Sequence, residues 1–357
     1  MSLAAVSAGV FATVAPPKRH ARPAPRVASF HASPGPGHLR CWRRCVGLTT
    51  TPALGSNPEP MGFNALVPPD ETDLPAMRQI ILKVATDAAK LGATIMLDKL
   101  GADVVKTKAN ARDLLTEVDS EVQRVIEQRV RKTFPTHDFL GEESVPGGAK
   151  ASTAALDTVL NQSSDWLWVV DPIDGTTNFC HSMPLSAVSI GVAYQGKIQV
   201  GVIMDPFAGE IFSSSLGGGA YVNFAQLKVG SEETLQEAVV CTGYGASDES
   251  ASMMLLGMKS LTKIQVRSIR MLGSAAIMLA WVAAGRVTAY FEADLNSWDT
   301  AAGALLVTEA GGQITNLVTG ENYSLRTRAI LASNGKTHGA LRQALVHGGV
   351  RGLKQET

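Results

Sequence analysis

An apolar strand that runs directly into a polar turn constrains the fold of this chain more than any other feature of its sequence. Residues 167–170 are predicted to form a buried strand, and Asp171 stands where it ends, followed by Pro-Ile-Asp-Gly-Thr-Thr-Asn-Phe. Pro172 fixes its own φ and keeps Asp171 extended, whereas Gly175 permits a positive φ and the close approach of a ligand. The sequence therefore predicts a strand, a sharp turn and the first turn of a helix.

This turn offers two kinds of ligand. Asp171 and Asp174 supply carboxylate oxygens, which hard cations prefer. Thr176, Thr177 and Asn178 supply hydroxyls and backbone N–H groups at the start of a helical turn, where an anion is favoured. An Asp-Pro turn can also simply connect two elements. The whole string, however, favours metal-assisted chemistry on a phosphate ester.

Two carboxylates fill only part of a metal shell, so other acidic residues should converge on the turn. Glu142 and Glu143 follow a short predicted strand, where a solvated acidic pair is the alternative interpretation. Asp299 opens a predicted helix and could be an ordinary N-terminal carboxylate, and Asp119 could be a plain helix cap. The occurrence of all of them together favours a site.

Hydrophobic periodicity predicts a mixed fold with helices layered on sheets. A meander over residues 187–215 predicts that one sheet is largely antiparallel. We expect one catalytic domain over residues 71–347, with subregions at about 71–225 and 226–347, and a C-terminal tail over 348–357. The predicted helices cover 74–100, 119–130, 252–261, 274–284, 300–310 and 336–346. The predicted strands cover 139–140, 167–170, 187–194, 198–204, 210–215, 238–242, 264–267, 287–291 and 329–332, and a loop is predicted over 145–151.

Residues 1–70 have the composition of an organelle transit peptide. Ala, Ser, Pro and Arg are abundant, and no acidic residue precedes Glu59. The alternatives are an ordinary disordered tail or a wrongly chosen start codon, with Met61 as the true first residue. The abundance of Ser, Ala and Pro favours a plastid, with the mitochondrion or the cytoplasm as the other destinations.

The distribution of charge argues against a nucleic-acid partner. The chain has 32 basic and 32 acidic residues, but seven of the basic ones lie before Glu59, so the remainder has 25 basic against 32 acidic. A phosphate backbone requires a basic face, which this mildly acidic remainder does not predict. No stretch is long and apolar enough to span a membrane, so no membrane partner is expected.

Four motifs in order resemble the signature set of the inositol monophosphatase family. They are Asp113-Leu-Leu-Thr-Glu-Val-Asp119, Gly141-Glu-Glu-Ser144, the turn that begins at Asp171, and Trp298-Asp-Thr-Ala-Ala-Gly303. The resemblance covers residues 74–346. It implies an α/β (α+β) fold in the form of a layered αβαβα sandwich, with a large mainly antiparallel sheet and a second mixed sheet. It also implies a homodimer and a Mg²⁺-dependent, Li⁺-sensitive phosphatase.

The resemblance assigns metal ligands to matching positions. Glu142, Asp171 and the carbonyl of Ile173 would bind one Mg²⁺ ion, and Asp171, Asp174 and Asp299 would bind a second, so that Asp171 bridges the two. Two to three ions per active site are expected, in agreement with the preference of Mg²⁺ for a few carboxylates together with water and substrate phosphate.

The resemblance also assigns catalytic and substrate-binding residues. Glu142 and Thr176, with Asp119 behind the threonine, would orient and activate the attacking water in an in-line displacement. Lys108 matches a lysine of the active-site flap, and Asp294 competes with Glu292 for a polyol hydroxyl. The expected substrate-binding set is Glu142, Ile173, Asp174, Gly175, Thr176, Gly273, Ser274, Ala275, Glu292 and Asp299.

The expected substrate is a small phosphorylated polyol. The residues Thr-Thr-Asn-Phe after Gly175 favour myo-inositol 1-phosphate, whereas L-galactose 1-phosphate and histidinol phosphate stay open as alternatives on the same scaffold. A non-catalytic regulatory binding protein is the less favoured alternative, because every proposed ligand is present.

Overall fold

A computed structural model describes residue 70 and residues 73–103, 106–107, 114–162, 164–245 and 247–352. The transit-peptide prediction over residues 1–69 and the flap residue Lys108 lie outside the described residues. None of the helices in this part of the chain is long and apolar enough to cross a membrane.

The described chain contains eight α-helices and fourteen strands. The helices are α1 (Leu74–Asp98), α2 (Glu117–Thr133), α3 (Ala149–Leu160), α4 (Thr176–Cys180), α5 (Asp248–Lys263), α6 (Ala275–Ala283), α7 (Ser297–Glu309) and α8 (His338–His347). The first nine strands are β1 (Lys106–Thr107), β2 (Leu114–Leu115), β3 (Asp138–Gly141), β4 (Trp166–Asp174), β5 (Ala187–Tyr194), β6 (Lys197–Asp205), β7 (Glu210–Ser215), β8 (Gly219–Val222) and β9 (Ala225–Gln226). The remaining strands are β10 (Val239–Thr242), β11 (Ser268–Arg270), β12 (Ala289–Ala293), β13 (Gln313–Asn316) and β14 (Ala329–Ser333).

Two sheets carry most of these strands. The large sheet has seven strands in the order β3-β4-β5-β6-β7-β8-β9, and it is antiparallel throughout except for the parallel β3–β4 pair. The small sheet has five strands in the order β11-β10-β12-β14-β13, with β10 parallel to both of its neighbours and β14 antiparallel to both of its own. The predicted combination of a mainly antiparallel sheet and a mixed sheet is confirmed.

The helices form three layers around the two sheets. Apolar side chains of α1 and α2 pack on one face of the large sheet, around Trp168 and Ile190. Helices α6 and α7 lie between the sheets, where they contact Phe212 of the large sheet and Tyr290 of the small one. Helices α5 and α8 cover the outer face of the small sheet around Phe291. The fold is therefore the expected αβαβα sandwich.

Helix α7 approaches the large sheet very closely. A Cβ at Gly191 of β5 would lie 2.6 Å from the Cβ of Ala301, and one at Gly201 of β6 would lie 2.6 Å from the carbonyl oxygen of Ala302. The hydroxyl of Ser189 donates to the carbonyl of Trp298 at 3.1 Å. These contacts fix the first turn of α7 above the end of β4.

Two local predictions are wrong. The strand predicted over 264–267 does not form, because α5 continues to Lys263 and Gln265 takes a positive φ of 58°, so the apolar residues here pack from a turn. The loop predicted over 145–151 ends early, because α3 begins at Ala149 and buries Leu156. Its alanines favour a helix, although the surrounding Gly and Ser suggested a loop. The short strands β8, β9 and β13 were not predicted.

Candidate active site

The turn after β4 places two carboxylates at the edge of the large sheet. Asp171 still pairs with Ser189 of β5, the register then shifts, and pairing resumes at Asp174. This irregularity turns both aspartates toward the same space, and both are buried. Asp171 Oδ1 accepts a hydrogen bond from the backbone N–H of Ile173 at 3.0 Å. The backbone of the turn thus orients the Asp171 carboxylate.

A third carboxylate completes a compact cluster. Asp171, Asp174 and Asp299 each offer one oxygen, and these three oxygens lie within 4.8 Å of one another. Asp299 comes from the first turn of α7, which the close approach of that helix holds over β4. The donors are all hard carboxylate oxygens, with neither a thiolate nor an imidazole among them, and this donor set fits Mg²⁺.

Burial raises the electrostatic cost of negative charge in this cluster. Burial raises the pKa of Asp174 to about 6, although hydrogen bonds from Ser274 and Ala276 lower it, and the charge of Glu142 raises it further. The Ala276 N–H donates to Asp174 at 2.7 Å from the start of α6. Burial, followed by the charges of Asp174 and Glu142, raises the pKa of Asp299 well above 3.8. A cation bound among these groups would remove that electrostatic cost.

Glu142 lies near the cluster, because its charge is among the causes that raise the pKa of Asp174 and Asp299. It begins a short 3₁₀ turn (Glu142–Ser144) directly after β3, and it lines the same cleft as Asp174 and Asp299. Gln123 of α2 holds this turn, because its Oε1 accepts from Glu143 N at 2.8 Å and its Nε2 donates to Ser144 Oγ at 2.9 Å. Sequence reasoning missed Gln123, for which the only signal was a polar side chain on the apolar face of a helix.

Thr176 and Asp119 lie together beneath the turn. The hydroxyl of Thr176 donates to the carbonyl of Ile173 at 3.0 Å, and the same hydroxyl oxygen lies 3.4 Å from Asp119 Oδ1. The other carboxylate oxygen of Asp119 accepts from Thr116 N at 2.8 Å and from Thr116 Oγ1 at 2.6 Å. Asp119 is only 1% exposed. The structure thus brings together the two residues that the sequence paired.

The turn that ends β4 requires a glycine at position 175. Its φ is 92°, and a Cβ would lie 3.0 Å from two carbonyl oxygens, those of Gly273 and Leu185. Asn178 ties α4 to the segment before α6, because its Nδ2 donates to the carbonyls of Leu185 and Leu272, each at 2.7 Å. This turn and the segment before α6 are therefore held together by the Asn178 side chain and by the close approach of their backbones at Gly175 and Gly273.

The whole cleft has a volume of about 770 Å³. The half away from the carboxylate cluster extends from the start of α6 to β12. Gly273, Ser274, Ala275 and Glu292 all line it, as predicted for substrate-binding residues. The hydroxyl of Ser274 donates to Asp174, so this side chain holds a carboxylate of the cluster. The structure thus gives Ser274 a positioning contact that the sequence did not predict.

Glu292 is held rigidly at the far end of the cleft. Tyr290, which the sequence analysis did not single out, donates its hydroxyl to Glu292 Oε2 at 2.5 Å, and Gly245 N lies 3.4 Å from Oε1. A Cβ at Gly243 would lie 1.8 Å from the Glu292 carboxylate, so the Glu292 side chain packs directly against the backbone of Gly243. Burial is the main cause that raises the pKa of Glu292 to about 7, and the hydrogen bond from Tyr290 opposes this shift.

Comparisons with known proteins identify the family of this chain and several relatives. The model of a family described as the inositol monophosphatase family matches residues 77–348. Human inositol monophosphatase 1 is 36% identical over 234 residues, which cover 65% of this chain and 81% of that protein. A chloroplastic phosphatase of Arabidopsis thaliana, IMPL1, is 36% identical over 265 residues, covering 72% of this chain and 68% of that one. The solved structure of inositol monophosphatase from Anabaena superimposes with a TM-score of 0.64 at 34% identity, covering 75% of this chain and 96% of its own.

Proposed function

Because this chain belongs to the inositol monophosphatase family and is a phosphatase, we propose that it hydrolyses myo-inositol 1-phosphate to myo-inositol and phosphate with the aid of Mg²⁺. The observation that carries the proposal is the convergence of Asp171, Asp174 and Asp299 at one end of an open cleft. The names of the human and Anabaena relatives support inositol phosphate as the substrate.

The carboxylates divide between two metal positions in this proposal. Glu142, Asp171 and the carbonyl of Ile173 would hold one Mg²⁺ ion, and Asp171, Asp174 and Asp299 would hold a second. The Ile173 carbonyl already accepts from Thr176, but a carbonyl oxygen has a second lone pair for a cation. The bound metal would supply Lewis-acid stabilisation of the phosphate oxygens and lower the pKa of a bound water.

The protein side chains orient the attacking water. Thr176 has one hydroxyl proton, which can point either to the Ile173 carbonyl or to Asp119 Oδ1. When it turns to Asp119, the lone pairs of the hydroxyl oxygen can accept a hydrogen bond from the water. Glu142, which lines the same cleft, would accept a hydrogen bond from the second hydrogen of the same water. The water is then held for attack in line with the leaving oxygen, and no covalent phosphoenzyme is required.

The polyol occupies the half of the cleft near Glu292. A pKa of about 7 leaves part of the Glu292 population ionised at neutral pH, and the ionised carboxylate can accept from a ring hydroxyl. The backbone at Gly273 and Ala275 lines the wall between this carboxylate and the metal cluster. We propose that these residues select the leaving group.

Cellular context forms a separate part of the proposal. The name of the chloroplastic Arabidopsis relative supports a plastid location, to which the N-terminal segment would direct the chain. The active unit is proposed to be a homodimer, as the family resemblance implied. Li⁺ is expected to inhibit by competing at the second metal position.

A substrate panel tests the proposal. The purified enzyme is assayed with Mg²⁺ on myo-inositol 1-phosphate, L-galactose 1-phosphate and histidinol phosphate, and the Asp174→Asn variant serves as the control for contaminating phosphatase. We expect the highest kcat/KM for myo-inositol 1-phosphate and no turnover by the variant. A kcat/KM for either alternative that exceeds the inositol value by about tenfold, which is about 1.4 kcal/mol in transition-state binding, would reject the inositol assignment.

A further inference from the structure

A second carboxylate stands beside Glu292 on the wall of the leaving-group pocket. Asp294 follows the last residue of β12, lies two residues beyond Glu292, and lines the same cleft. Its backbone has a φ of 72°. This left-handed conformation costs free energy for any residue with a Cβ, and such outliers are retained where the surroundings and the function demand them.

The Asp294 side chain is held in place from two sides. Arg328 Nη2 donates to Oδ1 at 2.9 Å, and Ser250 Oγ donates to Oδ2 at 3.2 Å. The side chain is only 9% exposed. Arg328 is fixed in turn, because its Nη1 donates to Asn296 Oδ1 at 2.7 Å and to Ser152 Oγ at 3.0 Å. Each oxygen of an ionised carboxylate has two acceptor positions, so both Asp294 oxygens retain one for a ligand.

The ion pair with Arg328 decides which ligand chemistry suits Asp294. The guanidinium compensates the carboxylate charge, so the pair presents oriented acceptor atoms with little net charge. A neutral hydroxyl gains a charge-assisted hydrogen bond there, whereas an ammonium group would meet the nearby arginine. Glu292 lies close enough that the charge of Asp294 is among the causes, after burial, that raise its pKa. Two acceptor side chains therefore face one part of the pocket.

We propose that Asp294 is a specificity-determining residue, whose carboxylate accepts a hydrogen bond from a leaving-group hydroxyl other than the one that Glu292 accepts. The inference deepens the proposed function and rests on it. It assigns to the pocket a neutral leaving group with at least two hydroxyls on one edge, and it disfavours an amine-bearing leaving group. The competing explanation is that Asp294 and Arg328 form a strut that only supports the fold.

Asp294→Gly and Asp294→Asn variants distinguish these explanations. Glycine adopts a φ of 72° without strain, so the glycine variant keeps the backbone and removes only the carboxylate. Asparagine keeps the size and removes the charge. The kcat/KM of each is measured on myo-inositol 1-phosphate and on ethyl phosphate, whose leaving group has no further hydroxyl. We expect a loss of about tenfold or more on the inositol ester, chiefly through KM, and no change on ethyl phosphate.

Asp157→Asn is a matched control. Asp157 pairs with Arg326 at 2.8 Å, near Arg328 in sequence, but both side chains are about half exposed and neither lines the cleft. This variant should leave both esters unchanged. The specificity role is overturned if the Asp294 variants lose activity equally on both esters, or lose none on the inositol ester.

Failure of the proposed function gives a different result. If the wild-type enzyme does not hydrolyse myo-inositol 1-phosphate, the proposed substrate is wrong, and the comparison is repeated with the polyol ester that it does hydrolyse. The role of Asp294 is then overturned if Asp294→Gly lowers the kcat/KM for that ester no more than for ethyl phosphate.

Discussion

The carboxylates of Asp171, Asp174 and Asp299 must repel one another whenever a chelator removes divalent cations. Asp299→Asn removes one charge, and the amide oxygen can keep the hydrogen bond that Asp299 Oδ2 accepts from Asn296 N at 2.7 Å. With oxygens within 4.8 Å, one charge pair costs about 3 kcal/mol at an effective dielectric constant of about 20. Asp299 takes part in two of the three pairs.

Protonation already relieves part of this repulsion. Burial is the main cause that raises the pKa of Asp174 to about 6 and the pKa of Asp299 above its usual range, so the cluster takes up protons at a higher pH than isolated aspartates do. We therefore expect Asp299→Asn to raise the free energy of unfolding in excess EDTA by about 1–3 kcal/mol rather than by the full Coulomb energy. For a domain of this size, that corresponds to an increase in Tm of roughly 2–10 °C.

Thermal unfolding in EDTA and in saturating MgCl₂ measures this effect. Mg²⁺ should stabilise the wild type by mass action and the variant much less, so the order of the two Tm values should reverse between the two buffers. Asp205→Asn is the control, because Asp205 is also buried with a raised pKa, caused mainly by burial, but it is the last residue of β6 and lies outside the cluster. Its Tm should respond to Mg²⁺ as the wild type does.

The pH dependence provides an independent check. The Asp174 pKa rises from 3.8 to about 6 on folding, so the stability linked to its proton is complete below about pH 4 and is lost as the pH rises through about 6. The advantage of Asp299→Asn in EDTA should therefore shrink as the pH falls from 7 to 5. If the variant instead melts below the wild type in EDTA at pH 7, Asp299 is chiefly a structural residue and the electrostatic reasoning is wrong.

Two further predictions concern Tyr290, which contacts Glu292, and His338 at the start of α8. Tyr290→Phe removes the 2.5 Å hydrogen bond to Glu292, which lowers the pKa of that carboxyl. The KM for the polyol ester should therefore rise about tenfold, and the acid limb of the pH profile of kcat/KM should move to higher pH. An unchanged profile would contradict this role of Tyr290. Burial, aided by Arg342, lowers the pKa of His338 from 6.5 to about 4, so the native state loses about 3 kcal/mol of stability as the pH falls from 6.5 to 4. Urea unfolding of His338→Gln should show a flatter decline over that range, and an equally steep decline would refute the assignment.

The sequence predicted elements and their ends far better than it predicted contacts between them. Leu167–Val170 and the turn after it had to be a buried strand and a tight turn, because the apolar run, Pro172 and Gly175 permit little else. In contrast, the support of Ser144 by Gln123 joins residues 21 apart, and the bond from Asn178 to Leu272 joins residues 94 apart. Periodicity shows which face of an element is buried but not which partner lies opposite, so these supporting side chains could not be predicted.

The sequence left open whether Asp119 and Asp299 cap helices or belong to the site, and in the structure each has both kinds of contact. Asp119 and Asp299 each occupy the third position of a helix and complete a capping box, so each is an ordinary N-terminal carboxylate. Yet one Asp119 oxygen faces Thr176, and Asp299 contributes an oxygen to the carboxylate cluster. Because a carboxylate has two oxygens, one can bind the helix backbone and thereby orient the other toward a ligand.

This double use determines which substitutions are informative. Asp299→Ala removes the capping interaction, at a cost of about 1 kcal/mol, together with the repulsion in the cluster, and the two effects on stability partly cancel. An unchanged Tm for the alanine variant would therefore not show that Asp299 lacks a structural role. Asp299→Asn can keep the cap while it removes the charge, so an increase in its Tm in EDTA reports the relief of repulsion in the cluster.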